Sequence, residues 1–178
     1  MKKTRVVFAK EKIKKQILNR IVKEQTERLI TYAKGEIMSI GASINSYGSA
    51  YHMDRTGNLL DSLCWAVYYG GKLKDFGYYR KDEAAGISRL HEWSKPQGQE
   101  VDGYLLAEQF ITTYTPQTQN GWELFFAVLA PYWGYWEKGH VNVKNGSFQQ
   151  FAVMTQFHDK VKQDLSPARV TFRTYIPA

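Results

Sequence analysis

The chain has 178 residues, 43% of them apolar and 15% aromatic, which is enough for one folded domain without disulfide or metal staples. Its net charge is +7 and it has one cysteine, Cys64, which excludes an internal disulfide framework and a cysteine-based zinc site. No run reaches the roughly 18 apolar residues of a membrane span, and the basic opening "MKKTRVVFAKEKIKK" returns to charge too early for a secretory leader.

From the N-terminus, Lys10 to Ile40 predicts a long amphipathic helix. Ile13, Ile17, Leu18, Ile21, Val22, Leu29, Ile30, Ala33, Ile37 and Ile40 recur at three- and four-residue spacing, with charges between them. The helix carries the protein's basicity. Residues 1–34 hold 11 basic and 3 acidic residues, a net of +8, whereas residues 35–178 hold 13 and 14, a net of −1. Gly41 is a natural stop, and the small polar residues of 41–54 predict a mobile loop. Leu59, Leu60 and Leu63 point to a short turn that feeds the core. "CWAVYY" at Cys64–Tyr69 is rich in strand formers, and Asp75–Arg80 is its expected return strand across "GGKLK". Core packing is the expected role of Cys64.

Lys81–Val101 reads as an irregular excursion, Asp102–Tyr114 as a helix and Thr115–Gly121 as a turn. "WELFFAVLAP" has the nearly continuous apolar run of a buried strand, ended by Pro131, which lacks a ladder N–H. A turn is expected at Asn145-Gly146, a helix at Phe148–Leu165 and a last alternating strand at "ARVTFRTYI". The fold class is therefore α+β: a small, mostly antiparallel sheet packed by the N-terminal helix and a C-terminal helix. The whole chain reads as one domain, with 1–40 its basic helix.

Few chemistries fit. His52, His91, His140 and His158 make no metal-ligand spacing, and there is no phosphate-binding glycine loop or nucleophile elbow. No catalytic residue, cofactor or metal ligand is expected. Glu137 and His140 lie three residues apart, but that alone is no catalytic constellation. The basic helix offers Lys12, Lys14, Lys15 and Lys23 as possible DNA contacts, and Trp133, Tyr135 and Trp136 could stack on bases. Those lysines equally form the solvated face that any amphipathic helix needs. The helix's apolar face lacks the tryptophans of an interfacial membrane anchor, so no membrane partner is expected. Aromatics clustered near strand ends suit an assembly surface.

Two segments carry a resemblance. "DRTGNLLDSL" at 54–63 resembles the D-T-G-x-L-x-x-S signature of the tailed-phage neck proteins of the tail-completion type, the minor tail components that join head to tail. Thr56, Gly57, Leu59 and Ser62 match, and Arg55 interrupts the Asp-Thr pair. "LAPYWGYWEKGH" at 129–140 is similar to that family's second signature, A-P-Y-a-x-Y-x-E-x-G. Ala130, Pro131, Tyr132, Tyr135, Glu137 and Gly139 match it, with Trp133 and Trp136 bulkier than usual and His140 in place of a frequent Thr. The matched residues other than Ala130, together with Trp133 and Trp136, are the interface residues that the resemblance implies. It further implies a structural virion protein, assembled in the host cytoplasm and forming a homo-oligomeric ring at the neck. That ring would complete the tail between a portal-side adaptor and tail or tail-tube proteins, with genome DNA in the channel held only by weak electrostatics. Residues 71–121 exceed the family's usual connection and are expected to be an added element. The alternative reading is a nucleic-acid-associated protein working through the basic helix.

Overall fold

The strand β1 (Leu63–Tyr69) is the centre of the molecule, and its sequence shows why. Six of its seven residues are buried, without the in–out alternation of a half-exposed strand, because both of its faces are covered. In this computed structural model the described residues are 2–51, 58–79, 102–130, 140–141, 148–149 and 152–165, with side chains described over 10–44, 59–79, 102–130 and 152–165.

β1 lies between two antiparallel neighbours, β2 (Lys72–Tyr78) and β3 (Trp122–Val128), in the order β2-β1-β3. The β1–β2 turn is tighter than the sequence suggests. Tyr69 pairs with Lys72, so the loop is Gly70-Gly71 alone. Both glycines have positive φ, 60° and 72°, as a two-residue hairpin turn matched to strand twist requires. Lys74 is the extra residue of a bulge between the Val67–Asp75 and Tyr68–Leu73 pairs. That bulge accounts for the return strand starting before Asp75.

One face of the sheet is covered by α1 (Lys2–Tyr51) and α4 (Val153–Asp164). Ala33, Ile37, Ile40 and Ile44 of α1 join Leu63, Trp65 and Val67 of β1 and Phe157 and Val161 of α4 in one core. The expected α+β architecture is present: a long N-terminal helix, a C-terminal helix and a three-stranded antiparallel sheet. The other face is covered by α3 (Gly103–Thr113), whose Ala107 and Ile111 pack with Cys64 and Leu129. Residues 71–121 thus supply β2 and α3, both of which pack on the central strand.

The expected stop at Gly41 and the mobile loop after it are corrected: α1 continues without a break through Tyr51. Gly41 is needed for closeness instead. A Cβ there would lie 2.1 Å from the Tyr79 ring, which covers the helix backbone at this point. The C-terminal helix also starts later than Phe148. Phe148–Gln149 is β5, paired with β4 (His140–Val141), and Ala152 follows in the left-handed region at φ 45°, ψ 37° before α4 begins. A left-handed residue cannot sit inside a right-handed helix, so the helix starts at Val153. The Asn145-Gly146 turn, the last strand and residues 81–101 lie outside the described residues.

Candidate assembly surface

The turn that feeds β1 is α2 (Asn58–Asp61), with Leu59 and Leu60 in the core. It ends at Ser62, which has no accessible surface. The Ser62 hydroxyl donates to the Leu59 carbonyl at 2.8 Å and accepts from the backbone N–H of Leu129 at 3.2 Å and of Ala130 at 3.0 Å. Leu129 and Ala130 are the first residues of the second signature segment, and they are buried where the chain leaves β3. One side-chain oxygen therefore satisfies the two N–H groups released as the ladder stops, ahead of Pro131. The two signature segments meet here.

This placement corrects two of the expected interface residues. Leu59 and Ser62 are wholly inside the subunit, Leu59 as core and Ser62 as the pin between segments. Thr56, Gly57, Pro131, Tyr132, Trp133, Tyr135, Trp136, Glu137 and Gly139 lie outside the described residues, as does any geometry between Glu137 and His140. Among the described residues no cluster of His, Cys, Asp or Glu fits a metal ion, and no helix is long and apolar enough to cross a membrane. Burial pushes the Cys64 thiol far up, so the sulfur is held as a core thiol.

The surface the structure adds lies on α1. Its C-terminal half is fastened to the body by polar links. Trp122 Nε1 donates to Thr26 Oγ1 at 3.0 Å, Tyr32 donates to Asp164 at 3.0 Å, and Lys160 donates to Glu36 at 2.7 Å. Burial first, and then the bond to Asp164, raise the Tyr32 hydroxyl well above the ordinary tyrosine range. Among the described residues the stretch from Lys10 to Ile21 shows no such fastening, and every residue in it is exposed. Ile13, Ile17, Leu18 and Ile21 are 53%, 54%, 56% and 46% exposed. The sequence reading put them on the same face as Ile37 and Ile40. At about 100° per residue, however, the Ile13–Ile17–Ile21 row is turned roughly 170° from the row of Ala33, Ile37, Ile40 and Ile44. It points away from the body. Angular position, not spacing alone, was the signal that could have found it.

Lys12, Lys14, Lys15 and Lys23 are all exposed. By the same count Lys12, Lys15 and Lys23 fall within a sector of about 80° and Lys14 falls outside it. Lys14 lies 3.7 Å from Glu11 and Lys23 lies 3.9 Å from Glu27, which tempers the local positive field.

The chain matches no family model, no curated protein and no solved structure.

Proposed function

We propose that this protein is a structural component of a tailed-phage neck, forming a ring that completes the tail and joins it to the head. The observation that carries the reading is the Ser62 junction. The two segments that resemble neck-protein signatures are 67 and 68 residues apart at their linked positions, yet they share one buried hydroxyl. A pair of signatures that forms one structural unit is what a common origin with that family predicts. On this reading the aromatic residues and Glu137 of the second segment are the contact that a ring subunit needs for the next copy. The work of such a protein is assembly, with no reaction to catalyse.

Mass measurement of the purified protein and of virions tests this. The expected result is a stoichiometric band in particles, with the closed ring formed as the chain enters them. A chain that stays monomeric and is missing from particles would sink the proposal.

A second reading rests on the exposed sector of Lys12, Lys15 and Lys23. It predicts DNA binding that weakens steeply with salt and is lost when these lysines are neutralised. Binding that is unaltered by those changes would remove it.

A further inference from the structure

The apolar row on the free half of α1 has an internal symmetry. Ile13 and Ile21 stand four residues on either side of Ile17, and Lys10 and Glu24 stand seven residues on either side. All five fall within a sector of about 80° on the helix. The face is therefore a palindrome in character, apolar at the centre, with a cation at one end and an anion at the other.

We propose that this face pairs with the same face of a second copy of the chain, antiparallel, about a two-fold axis at Ile17. In that arrangement Ile17 meets its own counterpart and Ile13 meets Ile21 of the second copy. Lys10 meets Glu24 of the second copy, once at each end. Charge decides both direction and register. A parallel pair would set Lys10 on Lys10 and Glu24 on Glu24. Sliding the antiparallel pair by one turn either way would set Lys10 against Arg28 or against Arg20. Of these arrangements, only the Ile17-centred register sets Lys10 against an opposite charge. Glu24 already accepts from Arg20 Nε at 2.8 Å, so its carboxylate would be shared between Arg20 and the incoming Lys10. The Lys10–Glu24 stretch is about 21 Å long, which places the contact in the weak class below about 1,200 Å². The dimer is thus a reversible one, in the micromolar range. The inference does not rest on the neck reading: it concerns the free subunit, whatever larger body it enters.

Sedimentation equilibrium of the full chain from about 1 to about 100 µM is the first measurement. The expected result is a monomer–dimer equilibrium, abolished by Ile17→Glu with helix content unchanged by circular dichroism. Ile17 is 54% exposed, so the variant keeps its fold. Lys10→Glu should weaken the dimer about tenfold, and Lys10→Glu with Glu24→Lys should restore it. Direction is read by disulfide trapping, for which the buried Cys64 is a silent background. Ile17→Cys should cross-link to itself, whereas Ile13→Cys should cross-link when mixed with Ile21→Cys and not alone. Self-linking of Ile13→Cys as fast as that of Ile17→Cys would overturn the antiparallel pairing. So would a wild-type chain that remains monomeric throughout, including one whose Ile17 row binds anionic vesicles instead.

Discussion

Ser62 holds more of the structure than its size suggests. Among the described residues its oxygen is the only group accepting from the Leu129 and Ala130 N–H groups, all of them buried. Ser62→Ala would leave both donors unsatisfied in the core, a loss of about 2–4 kcal/mol. Urea unfolding checks this, with Ser62→Thr as the variant that keeps the acceptor. Two glycines of α1 make a matched pair of tests. Gly35 is exposed, and a Cβ there would meet nothing within 4 Å, so Gly35→Ala should stabilise by about 0.5–1 kcal/mol. Gly41→Ala would drive a methyl into the Tyr79 ring and should destabilise by about 1–3 kcal/mol, despite the same gain in helix propensity. Thermal melts of the two variants should move in opposite directions. At this scale the sequence is ambiguous for a physical reason: a glycine that ends a helix and a glycine that admits a neighbour look alike until the neighbour is placed. For Ser62, a serine after a leucine-rich turn carried no sign of the partners 67 and 68 residues away.

Among the elements, the loop from α3 to β3 is organised by one carboxylate. Glu123 on β3 accepts from the Tyr114 hydroxyl and from the backbone N–H of Gln117 and of Thr118, the latter two at 2.8 Å. Glu123→Gln halves the acceptor capacity and turns an amide NH₂ toward the loop, so it should cost about 1–3 kcal/mol by chemical denaturation. The elements themselves were largely legible. The periodicity of α1, the strand composition of Cys64–Tyr69, the helix before Tyr114 and the unbroken apolar run of β3 all have local causes. What the sequence misplaced were boundaries fixed by non-local contacts. β2 begins at Lys72 because the Gly70-Gly71 turn and the Lys74 bulge set its register against β1. α4 begins at Val153 because Ala152 is left-handed. The two sides of α1 were merged because three- and four-residue spacings recur on both, and only the accumulated rotation separates them.

For the whole molecule, tyrosines set an alkaline limit. Burial first, and then nearby acidic groups, push the Tyr78 hydroxyl from 10.0 up to about 12, and Tyr32 is raised by burial and by Asp164. A group whose pKa is raised by folding adds stability that is fully present below its unfolded value and lost as pH rises through its folded one. The unfolded chain releases these protons near pH 10.0, before the folded chain does. Stability should therefore begin to fall near pH 9.0, where the unfolded chain releases the Cys64 thiol, and fall more steeply between pH 10.0 and about 12. Denaturation curves at stepped pH, with tyrosinate absorbance as the second signal, read the window directly; a stability that rises across it would contradict the assignment.

The fastening of α1 along only part of its length also sets a time scale. From Thr26 onward the helix is held by Trp122, Asp164 and Lys160, whereas from Lys10 to Ile21 its side chains are open to solvent. Amides in the second region can open by fraying alone, while those in the first must wait for the core to open. Hydrogen–deuterium exchange should divide this single helix into two kinetic classes, with the step near Thr26. At protein concentrations that populate the dimer, exchange should slow selectively in the outer class, which makes the same experiment a concentration gauge.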